Sequence, residues 1–263
     1  MRIAALGAVS AAVLLASVTG PTGASGPAAG HPTVVLVHGA FAESASWNGV
    51  VHELEKDGYR VVAAGNPLRG VRSDADHVAS LLRSIPGPVV LVGHSYAGSV
   101  ISEAAVDQAN VKALVYVAAF APDEGETAGG LGGRFPGSTI GPTLAPPVPL
   151  PDGSKDLYIK QDRFPQQFAA DVPLAQAKEM AATQRPIAAA AFDEASGPAA
   201  WKRLPSWFIY GSLDKNIPAA LQVFMAKRAH AREAVEIKGA SHVVMISHPR
   251  AVAELIERAA TAP

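Results

Sequence analysis

The chain has no cysteine, and that one absence removes several chemistries together. Disulfides, thiolate metal sites, a cysteine nucleophile and a lipid-modified cysteine at an export junction are all excluded. Charge is sparse and balanced. Asp, Glu, Lys and Arg make up 17% of the chain and the formal net charge is −1. No excess of either sign draws the molecule toward nucleic acid or an anionic membrane surface. Neither H-x-x-x-H nor H-E-x-x-H occurs, so a metal site would need histidines without those spacings. No internal repeat is found. What remains is a chain of 263 residues, 49% hydrophobic, long enough for one substantial α/β domain or two small ones.

The first thirty residues read as an address and not as structure. Arg2 gives a short positive start, and Ile3 to Val18 is almost wholly apolar. Gly20-Pro21-Thr22-Gly23-Ala24-Ser25-Gly26-Pro27 then supplies small residues suited to cleavage and to a flexible mature start. That is the three-part pattern of a secretory signal peptide. The alternative, a retained anchor, would need roughly twenty apolar residues. Residues 1–30 are therefore expected to direct export, with residues 31–263 forming the mature domain, secreted and without a stable membrane anchor.

From Thr33 onward strand and helix signals alternate. Val34–Val37 is a short apolar run of the kind found in strands buried on both faces. Trp47, Val50, Val51 and Leu54 follow at one-face helical spacing, closed near Gly58. Arg60–Ala64 reads as a strand, and Ser73 to Ile85 as a helix whose start Ser73 or Asp74 would cap. Val111–Ala118, Ser206–Tyr210 and Ala234–Ile237 are further strands, and a last helix begins near Pro249. Alternation of this kind predicts a mostly parallel sheet with right-handed crossovers.

Between about 122 and 204 the rhythm stops. Gly and Pro crowd residues 125–151, no buried-strand run appears, and helical patches are cut by Pro165, Pro173 and Pro186. This reads as an inserted helical lid, because the break falls between strands whose C-terminal ends should carry a site. Phe120, Leu131, Phe135, Phe164 and Phe168 are its candidate lining residues.

The stretch Val89-Val90-Leu91-Val92-Gly93-His94-Ser95-Tyr96-Ala97-Gly98 organises the rest. A buried strand ends at a serine among small residues, and a helix follows, expected to run from Tyr96 to Gln108. That is the setting of a strained nucleophile turn, although a serine N-cap would give a similar string. The usual G-x-S-x-G would place glycine at 97, where this chain has Ala97 and then Gly98.

Ser95, Asp214 and His242 each follow a predicted strand, so a parallel sheet would bring them to one edge. Serine needs an imidazole to take its proton, and the imidazole needs a carboxylate to hold its tautomer. Asp123, after the preceding strand, is the fallback acid. His38 and His94 are expected to support the site, and the other histidines to lie at the surface.

With Val37-His38-Gly39-Ala40, Gly93-His94-Ser95-Tyr96, Asp214-Lys215-Asn216-Ile217-Pro218 and Glu236-Ile237-Lys238-Gly239-Ala240-Ser241-His242 in this order, the chain resembles the α/β-hydrolases. The likeness covers residues 33–261 and is nearest to the small esterases grouped with methyl-ester esterases and hydroxynitrile lyases. It implies an α/β-hydrolase fold and a cofactor-free serine hydrolase acting on small to medium, fairly hydrophobic carboxylic esters. The backbone N–H groups of Ala40 and Tyr96 would form the oxyanion hole. The related lyases carry a threonine where this chain has Gly39, and a lysine where Val243 follows His242. Both departures favour ester hydrolysis over cyanohydrin cleavage. Lactone or amide hydrolysis, perhydrolysis, and ligand capture without turnover remain the alternatives.

Overall fold

A computed structural model describes residues 30–263. The expected export signal falls on residues outside that range, apart from Gly30. The chain begins with β1 (Thr33–Val37), α1 (Asn48–Lys56), β2 (Val61–Ala64), α2 (Val71–Ser84), β3 (Val89–His94), α3 (Ala97–Ala104) and β4 (Val111–Val117). The insertion holds α4 (Ala128–Gly132), α5 (Ile140–Thr143), β5 (Val148–Pro149), β6 (Lys155–Leu157), α6 (Phe164–Phe168), α7 (Leu174–Thr183), β7 (Ile187–Ala188) and α8 (Ala189–Asp193). Alternation resumes with β8 (Ser206–Gly211), α9 (Ala219–Arg228), β9 (Glu233–Ile237), α10 (Val244–Ser247) and α11 (Pro249–Thr261).

The main sheet has the order β2-β1-β3-β4-β8-β9, parallel throughout. Its inner strands are apolar runs because both of their faces are covered. β1, β3 and β8 are buried along their whole length, whereas the edge strand β9 alternates between half-buried and exposed. The direction of travel reverses once, after β2, so right-handed crossovers put α1 and α2 on opposite faces. Accordingly α1 packs against α11, and α2 against α3.

Register decides where the chemistry can lie. Val37 pairs with Gly93, His94 with Val117, Val117 with Ile209, and Gly211 with Ile237. The strands end nearly level, and the residues that follow β1, β3, β8 and β9 meet above one edge.

Two expectations need correction. The insertion does contain strands: β5, β6 and β7 form a small antiparallel sheet. At two or three residues each, they are too short to show an alternating pattern. The helix after Ser95 is also shorter than expected, ending at Ala104. The chain turns there, with Val106 and Gln108 donating back to Glu103 and Ala105.

Candidate active site

Ser95 sits at φ 56°, in the left-handed region that a non-glycine residue adopts only under constraint. The constraint is local. Its N–H donates to Val117 (3.2 Å), and its carbonyl accepts from Gly98 (3.0 Å) and Phe120 (3.1 Å). The small residues of the motif are there for contact. A Cβ at Gly93 would lie 2.8 Å from the Ala97 carbonyl, and one at Gly98 would overlap the Phe120 carbonyl. Ala97 is fully buried in the first turn of α3. In this chain Gly98 makes a close approach behind the nucleophile that leaves no room for a side chain.

The sharp turn lifts the Ser95 hydroxyl to 2.9 Å from His242 Nε2, while His242 Nδ1 lies 2.7 Å from Asp214 Oδ2. A carboxylate only accepts, so Nδ1 carries the proton and Nε2 offers its lone pair to the serine. Asp214 Oδ1 is occupied by the N–H groups of Asn216 (2.7 Å) and Ile217 (2.9 Å), which leaves Oδ2 for the imidazole. All three side chains are buried, with Ser95 8% exposed. The structure thus brings together the three residues that the strand ends suggested.

It does not bring Asp123 with them. That carboxylate lies at the surface, paired with Lys202, whose hydrogen bond holds it below the usual range. Of the histidines, His31, His52, His77 and His230 are exposed, and His248 is half-buried. His38 and His94 are fully buried beside the site. The His94 Nε2–H donates to the His242 carbonyl (3.2 Å), and the two rings lie 4.8 Å apart. Burial, and then the neighbouring His242, keep His94 well below the ordinary imidazole range, so it stays neutral.

The Ala40 loop is held from behind. The His38 Nδ1–H donates to the Gly39 carbonyl (3.0 Å), and Nε2 accepts from the Asn66 N–H (3.0 Å). Burial dominates its titration and pushes His38 down to about 4. A Cβ at Gly39 would come within 2.6 Å of the His94 carbonyl and 2.7 Å of the Ser95 Cβ, so a threonine here demands displacement of the nucleophile turn. The backbone N–H groups of Ala40 and Tyr96 donate to no other group among the described residues. Tyr96 is anchored at its far end, its hydroxyl donating to Asp74 Oδ2 (3.0 Å).

Asp74 is where the sequence reading fell short. Expected as a cap, it is instead buried on the inner face of α2 with Val71, Ala75, Val78 and Leu82. Burial raises its carboxyl above the ordinary value, against hydrogen bonds from Arg69 and Tyr96. Its helical spacing from the apolar residues was the available signal. The N-terminus of α2 is served by Glu194 of the insertion, which accepts from the N–H groups of Val71 (2.6 Å) and Arg72 (3.3 Å).

A cavity of about 510 Å³ is lined by Phe120, Phe135, Ile140, Leu144, Phe192 and Asn216 among others, with no charged side chain. It reaches the site through Phe120, whose N–H donates to the Ser95 carbonyl, and Ser95, His242, Ala40 and Tyr96 do not line it. Of the expected lining residues, Phe120 and Phe135 face it. Leu131, Phe164 and Phe168 are buried and do not line it, and the Phe168 ring packs on Phe41 and His94 (both 6.2 Å) and on His242 (4.9 Å). Among the described residues no three of His, Asp and Glu converge so as to hold a metal ion.

Comparisons with known proteins agree with this fold. A profile of the alpha/beta hydrolase family matches residues 34–255. A pyrethroid hydrolase from Sphingobium wenxiniae is 30% identical over 250 residues, 88% of each chain. Salicylic acid-binding protein 2 from Nicotiana tabacum is 28% identical over 252 residues, 85% of this chain and 95% of that one. The crystal structure of polyneuridine aldehyde esterase superposes with a TM-score of 0.74 at 20% identity, covering 86% of this chain and 98% of the other.

Proposed function

The chain belongs to the alpha/beta hydrolase family, and from that premise we propose that it is a serine esterase that cleaves carboxylic esters of fairly hydrophobic small molecules. The observation that carries this reading is the unbroken line from Ser95 through His242 to Asp214, at 2.9 and 2.7 Å. Ser95 Oγ attacks the acyl carbon as His242 Nε2 takes its proton. Asp214 holds the imidazole in its productive tautomer and stabilises the cation that forms. The N–H groups of Ala40 and Tyr96 receive the developing oxyanion, each donor worth roughly 3–4 kcal/mol in such sites. His242 returns the proton to the departing alkoxide; it then takes a proton from the water that attacks the acyl-enzyme and gives it to Ser95 Oγ as the acid leaves.

The substrate class is inferred from the cavity that Phe120 and Asn216 join to the site. A lining of aromatic and aliphatic side chains without charge favours an uncharged apolar acyl or alcohol group. A hydrolase for pyrethroids, which stands among the relatives, is consistent with such a pocket. The insertion acts as the lid of this pocket, and residues 1–30 supply the export signal and the start of the mature chain. Among the described residues no helix is long and apolar enough to cross a membrane.

The test is a panel of p-nitrophenyl esters of graded acyl length, with lactones and amides as comparison arms, beside a fluorophosphonate label. Hydrolysis of the esters together with labelling at Ser95 is expected. Tight binding of apolar esters without turnover or labelling would replace this reading with that of a ligand-binding protein. Mass spectrometry of protein exported by its native host should show a mature start within or just after residues 24–30, and an intact Met1 would refute export.

A further inference from the structure

Outside the Ser95–His242–Asp214 line, one buried side chain of the insertion is tied to the turn that carries Asp214. Gln167, in α6, is 5% exposed and fully engaged. Its Oε1 accepts from the Thr139 hydroxyl (2.8 Å), and its Nε2 donates to the Lys215 carbonyl (3.0 Å) and to Asn216 Oδ1 (3.0 Å). Asn216 answers by donating its Nδ2–H to the Gln167 carbonyl (3.2 Å). Backbone carbonyls fix both amide orientations, because only an NH₂ group can face them. The Asn216 N–H, in turn, is one of the two donors on Asp214 Oδ1. The next residue, Phe168, lays its ring against His242.

We propose that Gln167 is a positioning residue for the Asp214–His242 pair, acting through the 215–216 peptide and the Asn216 side chain. The proposal rests on the esterase reading for its kinetic effect and on geometry alone for its structural one. Removing the Gln167 side chain leaves Asn216 Oδ1 buried without its donor and takes one of two donors from the Lys215 carbonyl, which keeps the Thr139 N–H (2.9 Å), and the turn relaxes to find a new partner. Asp214 Oδ2 then swings from the Nδ1–H line. Gln167 does not itself line the apolar cavity, which it meets only through Asn216, so the loss belongs chiefly in turnover. The ionisable groups that face His242 are Asp214 and the neutral His94, with Asp171 behind Ser241, and none of these is altered by the substitution.

The test compares Gln167→Met, which keeps the volume, with Gln167→Ala. Three readouts are used: kcat and KM for one good ester, the pH profile of kcat/KM, and the downfield proton resonance of the His242 Nδ1–H. Both variants should lose roughly 10–100-fold in kcat with KM within about twofold, as misplacement from a distance does. The acidic limb should move to lower pH, because a displaced carboxylate stabilises the imidazolium less. The downfield resonance should broaden or vanish. A folded Gln167→Met protein with wild-type kcat and an intact resonance would overturn the proposal, and it decides the matter if Gln167→Ala does not fold. If the wild type hydrolyses no ester, the esterase reading fails, while the resonance still reports on Gln167.

Discussion

Ser95, Asp214 and His242 meet because each follows a strand of the same parallel sheet, and their roles separate under substitution. Ser95→Ala should abolish fluorophosphonate labelling, and labelling that persists elsewhere would remove the assignment. Asp214→Asn should lower turnover by about 10³–10⁴, since the amide leaves the imidazole in the wrong tautomer. Asp123→Asn should change little, because that carboxylate answers Lys202 at the surface. These three residues were legible in the sequence because strand ends are written in apolar runs. Asp74 and Gln167 were not. Their partners lie 22 and 49 residues away; helical spacing could show that Asp74 faces inward, but nothing local announces a partner that comes from another layer.

Among the elements, the strand–turn–helix unit around Ser95 shows which small residue carries the packing. Ala97→Gly restores the usual motif glycine, and it should cost about 1 kcal/mol of helix propensity with labelling at Ser95 unchanged. Gly98→Ala should destabilise far more, because its methyl would have to displace the Phe120 carbonyl that follows β4. Urea unfolding of the two variants decides between them, and equal costs would contradict this account. The insertion was the least legible element. Its β-strands are too short for periodicity, and Pro165 opens α6 where a breaker was expected. Its attachment is by polar groups at long range. Arg69 binds Asp156 (2.7 Å), and Glu194 accepts from the first N–H groups of α2. Glu194→Ala removes both that acceptor and a negative charge favoured at a helix N-terminus, at about 1–2 kcal/mol. Limited proteolysis should then cut faster within residues 150–194, and an unchanged cleavage rate would mean that Glu194 does not hold the insertion down.

At the scale of the whole molecule, the chain carries buried histidines and no cysteine, so no disulfide offsets a loss of core stability in acid. Burial lowers His38 from 6.5 to about 4 and His94 well below its ordinary value. A depressed folded pKa means that the unfolded chain binds the proton first. Stability contributed by these groups is therefore complete above about pH 6.5 and is lost as pH falls toward the folded value. For His38 the full window is worth about 3 kcal/mol, taking about 1.4 kcal/mol per unit. Asp74 works in the opposite sense. Its folded pKa is raised by burial, so the native state takes the proton first and Asp74 costs stability as pH rises through its titration. Urea unfolding measured from pH 7.5 down to pH 4 should show the stability of the wild type falling steeply below about pH 6.5. His38→Gln should be less stable at neutral pH and flatter in acid, because a glutamine can still accept from the Asn66 N–H and has nothing to titrate. Asp74→Asn, compared with the wild type, should gain in relative stability as pH rises. A His38→Gln curve parallel to that of the wild type between pH 6.5 and 4 would show that the acid sensitivity lies elsewhere. Expected instead is a gap between the two curves that closes as pH falls, since only the wild type must expel a proton from beneath the Ala40 loop in order to fold.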